Sequence, residues 1–264
     1  MAHRIDMYFL FNNQRLDVNV PDWGRLASLI VDRFRTGQGF ALATVNLDHL
    51  VKLAQDRAFL AAYLDHDLVV ADGRPIVWLS RLARRRVALL PGSDLILPLC
   101  RLAAAEGGKV AFVGSSQPVL DRSAARLVSS VDGLQVTYLR APSQGFDPAG
   151  EDARAILAEL ETAGIALCFV ALGAPKQEQF AQLGRQLSPS VGFASIGAGL
   201  DFVAGHQRRA PRWVRAVALE WLWRMLSHPQ RLLPRYARCF AVLPGHIAGA
   251  LRLRYQAKGR AAKG

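Results

Sequence analysis

The chain has 264 residues, room for one large or two small domains, and its 51% hydrophobic and 20% charged composition excludes a disordered protein. The net charge of +12 is lopsided: His206 to Gly264 holds thirteen of the 33 basic residues but only one of the 21 acids, Glu220. Residues 1–205 are therefore near neutral, and the basic tail, with Trp213, Trp221, Trp223, Tyr236, Phe240 and Tyr255 among its arginines, suits an anionic lipid surface or nucleic acid.

In chain order, the N-terminus shows no secretory pattern. Met7 to Phe11 is apolar but is broken at once by Asn12 and Asn13, too short for a signal core or a span. Trp23, Leu26, Ala27, Ile30 and Phe34 recur with helical period. Strands are expected at Phe40–Val45, Leu68–Ala71, Val110–Gly114, Gln135–Leu139, Ile165–Leu172 and Val191–Ile196, rich in Val, Ile and Phe without clean alternation, as in strands covered on both faces. A helix over Leu95, Leu99, Leu102 and Ala103 ends at Gly107-Gly108, and Ala141–Gly150 has the composition of a loop near a ligand. After Asp201 the pattern is helical, with Val214, Val217, Trp221, Leu222, Met225 and Leu226 as one apolar stripe. The weakly polar run Cys239 to Leu251 falls short of the roughly 20 residues of a span. Alternating strands and helices predict an α/β fold: a Rossmann-like, mostly parallel sheet with helices on both faces, in a domain over residues 1–205. Residues 206–264 would form a basic, amphipathic helical appendage. Cys100, Cys168 and Cys239, odd in number and far apart, fit reduced thiols in a cytosolic protein.

In such a sheet ligands gather beyond the carboxyl ends of the strands. Asp72-Gly73 follows one strand, where Asp72 could be a general base, a ribose ligand or simply a helix N-cap. Thr44, Asn46 and Asp48 end another; they could bond a sugar, or Asp48 could cap the helix over Leu50–Ala54. Gly173-Ala174-Pro175-Lys176-Gln177-Glu178 is a small-residue turn with a proline suited to the first helical position. Free amides there, with Lys176, make a natural diphosphate cradle. Gly197-Ala198-Gly199 lacks the third small residue of the dinucleotide fingerprint, because Phe202 stands there. Gly114-Ser115-Ser116 is another phosphate-tolerant turn. Asp65-His66-Asp67 matches an Asp-x-Asp metal pattern but precedes its strand, away from the crevice, and reads as a solvated turn; no zinc spacing occurs among the six histidines and three cysteines, so a zinc site is not expected and no metal is assigned.

Together these segments resemble the WecG/TagA/CpsF family of bacterial glycosyltransferases. The resemblance runs, in family order, through Thr44–Asp48, Asp67–Gly73 with Ile76-Val77-Trp78, Pro91–Leu95, Gly173–Glu178, Gly199–Gly205, Arg209–Trp213 and Leu219-Glu220-Trp221. It implies an inverting, metal-independent transfer, without cofactor, from a UDP-sugar to a sugar on undecaprenyl diphosphate, by a peripheral protein at the inner face of the cytoplasmic membrane. It implies Asp72 as general base with Thr44 and Asn46 in the same pocket, and Gln177 and Asp201 on the donor side. The tail arginines, Arg224 and Arg231 among them, would close the site and grip diphosphate. Departures are Leu89-Leu90 where relatives often carry a basic residue, Phe146 where a Gly-Tyr-Phe-like segment is usual, and Pro234 within a run of arginines. The donor sugar, the polysaccharide pathway and assembly into a homo-oligomer stay open. The rival readings are a nucleotide-dependent oxidoreductase on the same sheet and a nucleic-acid-binding protein using the tail; the partners expected are donor, lipid-linked acceptor and anionic membrane, with no nucleic acid.

Overall fold

The structure is a computed structural model and describes residues 7–206 and 229–261. It opens with a hairpin that the sequence reading missed, in which β1 (Met7–Phe11) pairs antiparallel with β2 (Gln14–Val18). Asn12 and Asn13 make its turn at φ 47° and 65°. Positive φ at both central residues matches the twist of the strands, and Asn tolerates it better than most residues. Met7, Phe9, Phe11, Leu16 and Val18 are all buried.

The remaining strands form one parallel sheet. After α1 (Trp23–Thr36) come β3 (Phe40–Val45), α2 (Leu47–Gln55), α3 (Arg57–Leu64), β4 (Leu68–Ala71), α4 (Arg74–Leu82) and α5 (Gly92–Ala105). There follow β5 (Lys109–Gly114), α6 (Gln117–Ser130), β6 (Gln135–Arg140), α7 (Glu151–Thr162), β7 (Ile165–Ala171), α8 (Lys176–Leu187), β8 (Gly192–Ser195) and α9 (Gly199–Val203). The strand order is β4-β3-β8-β7-β5-β6. The expected strands are all present, with ends shifted by one residue where they differ.

Side chains alternate between two apolar layers. Phe40, Leu42, Val70, Phe112, Phe169 and Ala194 share one cluster with residues of α1, α5 and α6. Ala41, Ala111, Val113, Val170 and Phe193 face α7 and α8, and Ala43, Val45, Val69 and Ala71 face α2, α3 and α4. Both faces of the five strands β4-β3-β8-β7-β5 are covered, which is why their sequences show no polar alternation, whereas the edge strand β6 alternates and is buried at none of its residues. The chain leaves β3 toward the second face through α2 but leaves the neighbouring β8 toward the first, where Leu200 and Ala204 are buried. Between those two strands the connections diverge, the arrangement in which an α/β sheet offers a crevice at the carboxyl ends of its strands.

The C-terminal helix α10 (Pro229–Ala261) lies against α2 and α4. It buries Cys239, Ala250 and Leu253 in the same cluster as Met7, Phe9 and Phe11, and the His246 ring meets Phe9 edge-on at 5.5 Å. The far side of α10 is apolar and exposed at Leu233, Phe240 and Ile247, one heptad apart, and at Tyr255. No helix among the described residues is long and apolar enough to cross a membrane. The apolar stripe expected between Val214 and Leu226 lies outside the described residues.

Three local expectations are corrected. The N-cap of α2 is Asn46, whose side chain accepts from His49 N at 3.0 Å, so the helix starts earlier than expected and Asp48 falls in its first turn. Pro175 occupies the N-cap position of α8 rather than its first helical residue, after a cis Ala174–Pro175 bond. Asp65-His66-Asp67 is no solvated turn. Asp67 accepts from Ala41 N and pairs with both Arg33 and Arg185, at 3.2 and 2.9 Å, while His66 is buried. Asp67 thus ties α1 and α8 to the amino end of the sheet, opposite the crevice.

Candidate active site

One wall of the crevice comes from two neighbouring strands. The parallel register sets Thr44 beside Val70 and Val45 beside Ala71, and Asp72 N donates to Val45 O at 2.8 Å. Asn46 and Asp72 therefore emerge side by side, with Asn46 Nδ2 3.5 Å from Asp72 Oδ2. Asn46 uses its oxygen to cap α2 and turns its amide nitrogen to the carboxylate. Gly73, at φ 105°, is the N-cap residue of α4, which puts Asp72 one residue ahead of the cap. That backbone conformation is open to glycine and strained for other residues, so the Asp-Gly pair is what lets a carboxylate end the strand at the crevice while the chain turns into a helix. Thr44 is buried below them, its hydroxyl 3.4 Å from Ser195 O across the β3–β8 seam.

The facing wall is the turn Gly173-Ala174-Pro175 and the start of α8. Lys52 of α2 reaches across to donate to Ala174 O at 3.2 Å, and also pairs with Asp48 at 3.1 Å. Arg235 of α10 pairs with the other oxygen of Asp48 at 3.0 Å. The turn is thus tied through α2 to the C-terminal helix. The Asp48–Lys52 spacing of four was a local signal for half of this link; nothing local pointed to Arg235. Lys176 donates to Phe146 O at 2.7 Å, anchoring the 141–150 loop, whose Phe146 is buried against Phe180. Gln177 is buried, its oxygen accepting from Gly197 N at 2.9 Å and its nitrogen donating to Glu178 Oε1 at 2.9 Å. Glu178 was not singled out by sequence as a site residue.

The third wall is the β8–α9 turn. A Cβ on Gly199 would stand 2.8 Å from Ile96 Cδ1 and 3.3 Å from Ser93 Cα, and one on Gly92 3.1 Å from Ile196 Cα. The Pro91–Leu95 and Gly199–Gly205 segments therefore meet here at a contact that leaves little space for side chains. Asp201 sits in the first turn of α9, and partial burial holds its carboxyl above the ordinary aspartate range against the pull of His206. Gly114, in contrast, is explained by the sheet: at φ 110° its Cβ would lie 2.4 Å from Ala171 O.

Behind these walls lies a buried polar layer. His49 Nδ1 and the Tyr63 hydroxyl are 2.7 Å apart. Burial, helped by Lys52 and Arg235, lowers the His49 pKa to about 3, and burial raises that of Tyr63. Burial likewise raises Glu178 to about 7, although Gln177 and Lys52 favour its charged form.

Thr44, Asn46, Asp72, Gly173, Lys176, Gln177 and Asp201 thus all lie at the carboxyl ends of four adjacent strands, β4-β3-β8-β7. Arg224 lies outside the described residues, as does the side chain of Arg231, whose backbone begins α10. Among the described residues no three His, Cys, Asp or Glu side chains gather as a metal site.

The fold and its crevice define the class: a doubly wound α/β protein with its open edge at a topological switch point. More specifically, the sequence model of the glycosyl transferase WecG/TagA/CpsF family matches residues 12–258. The chain belongs to that family of glycosyltransferases.

Proposed function

We propose that the protein moves a sugar, with inversion, from a UDP-sugar to a sugar carried on undecaprenyl diphosphate, in bacterial cell-surface polysaccharide or exopolysaccharide synthesis. The observation that carries this reading, beside family membership, is the Asp72 carboxylate at the end of β4 with the Asn46 amide beside it.

Asp72 takes the proton of the acceptor hydroxyl as its oxygen attacks the anomeric carbon from the face opposite UDP; the bond to UDP breaks and UDP leaves with the electron pair. Asn46 holds the carboxylate in place, and Thr44 forms the floor. The departing diphosphate needs positive potential. The Gly173 turn and the amino end of α8 supply amide groups. Lys176, whose ammonium keeps two further protons beside its bond to Phe146 O, adds charge. Gln177 and Asp201 serve the donor side, and Arg224 and Arg231 hold the lipid-linked diphosphate. This chemistry uses neither metal nor cofactor.

The protein would work as a peripheral enzyme on the inner face of the cytoplasmic membrane. Supporting this are the thirteen basic residues of the tail and the exposed Leu233, Phe240, Ile247 and Tyr255 on α10, apolar groups that suit the headgroup boundary. Replacing Asp72 with Asn tests the mechanism: UDP binding stays and turnover falls by about 10²–10⁴, the usual worth of a general base. Near-normal turnover in the Asn variant would refute it.

A further inference from the structure

We propose that Glu178 is a positioning residue which, through Gln177, sets the β8–α9 turn on the donor side of the crevice. This rests on the donor-site reading above. Glu178 is fully buried, and its Oε1 accepts from Gln177 Nε2 while the Gln177 oxygen accepts from the Gly197 amide. The three groups form a chain with one sense. If the Gln177 amide flipped, its NH₂ would face the Gly197 N–H, donor against donor, and its oxygen would face the carboxyl oxygen of Glu178. The Gly197 N–H can only donate and so calls for the Gln177 oxygen, and the acceptor at position 178 holds the amide in that sense by taking its N–H.

Gly197 is where that orientation acts. It stands at φ 57°, a conformation a glycine adopts freely and therefore also leaves freely. On one side of it Ser195 O receives the Thr44 hydroxyl, and on the other Gly199 opens the helix that carries Asp201. The Gln177 bond fixes the amide between these two points. A carboxyl group placed in the core costs free energy that an apolar residue would not. Its second oxygen, Oε2, is buried without a hydrogen-bond partner among the described residues, so the side-chain bond Glu178 makes there is the one to Gln177. What Glu178 does accomplish is to orient Gln177.

The test compares three substitutions in the full-length protein. Glu178→Gln keeps an acceptor at Oε1, so its donor KM should stay within about twofold of the wild type. Glu178→Met fills the space without an acceptor, and Glu178→Asp withdraws the acceptor by one methylene. Both should raise donor KM about five- to tenfold, the worth of roughly one hydrogen bond, with kcat changed less than about threefold. In a Gln177→Ala background, Glu178→Met should add nothing further to donor KM. Hydrogen exchange at the Gly197 amide needs no substrate and should quicken in the Met and Asp variants but not in the Gln variant. The proposal is overturned if Glu178→Gln behaves like Glu178→Met, if kcat falls while KM holds, if the two substitutions add, or if Gly197 exchange is unchanged. A wild-type protein inert toward every UDP-sugar would refute the donor-site reading instead, and the exchange measurement would still decide the role of Glu178 at the turn.

Discussion

Acid should destabilise the Glu178→Gln variant more than the wild type. Three buried groups act between pH 6.5 and 4.5. His49 and His66 titrate near 3 and 4 in the folded protein, against an ordinary 6.5. As pH falls through this window the unfolded chain takes up a proton at each and the folded chain does not. Each unit is worth a factor of ten, so two units at two histidines remove about 5 kcal/mol of stability. Glu178 works the other way. Its folded pKa, about 7, lies above its ordinary 4.5, so its stability contribution is full below 4.5 and is lost as pH rises toward 7. Going down from 6.5 to 4.5 the wild type therefore regains about 2 kcal/mol at this site, because the folded carboxyl is already partly ionised at 6.5 and the unfolded one is half protonated at 4.5; the Gln variant, having no carboxyl to titrate, does not. Groups common to both proteins cancel. Urea unfolding at the two pH values should show the variant losing about 2 kcal/mol more than the wild type. An equal or smaller loss would show that Glu178 is not held protonated by burial.

Other outcomes follow from the site. Turnover should survive EDTA; loss on chelation with recovery on adding Mg²⁺ or Mn²⁺ would refute the metal-free mechanism. Phe240→Asp with Ile247→Asp changes exposed positions of α10 and should leave the fold intact while reducing flotation with anionic liposomes, most clearly at high salt, where charge attraction is screened and apolar insertion is what remains. Flotation equal to wild type at high salt would remove the stripe from the membrane contact, and a change of oligomeric state instead would mark it as an interface between copies.

Much of the sheet was legible because most of its strands are short apolar runs, several of them closed by a glycine-bearing turn, as at Asp72-Gly73 and Gly173, and because parallel pairing sends those turns to one edge. The hairpin is signalled by Asn12-Asn13 between two five-residue stretches, but the first, Met7–Phe11, is apolar throughout and carries no alternation that marks a strand. What sequence could not show was partnership over distance. Asp48 looked like a cap; in the structure it joins Lys52 to Arg235, 187 positions later. Asp67 looked solvated because it stands between polar neighbours, yet Arg33 and Arg185 converge on it from helices far apart in the chain. Glu178 was hidden in a helix start rich in polar residues, where charge ordinarily faces water. Its burial follows from α8 lying across β7 and β8, a fact of packing rather than of local pattern.

The central claim is most directly tested by measuring UDP release from a panel of UDP-sugars (N-acetylmannosamine, its uronic acid, glucose and glucuronate) with a short-chain prenyl-diphosphate-linked sugar as acceptor. The account predicts that one donor releases UDP only when the acceptor is present, in step with a lipid product heavier by one sugar, and that Asp72→Asn suppresses both. No acceptor-dependent release from any donor, or release that Asp72→Asn leaves untouched, would contradict it.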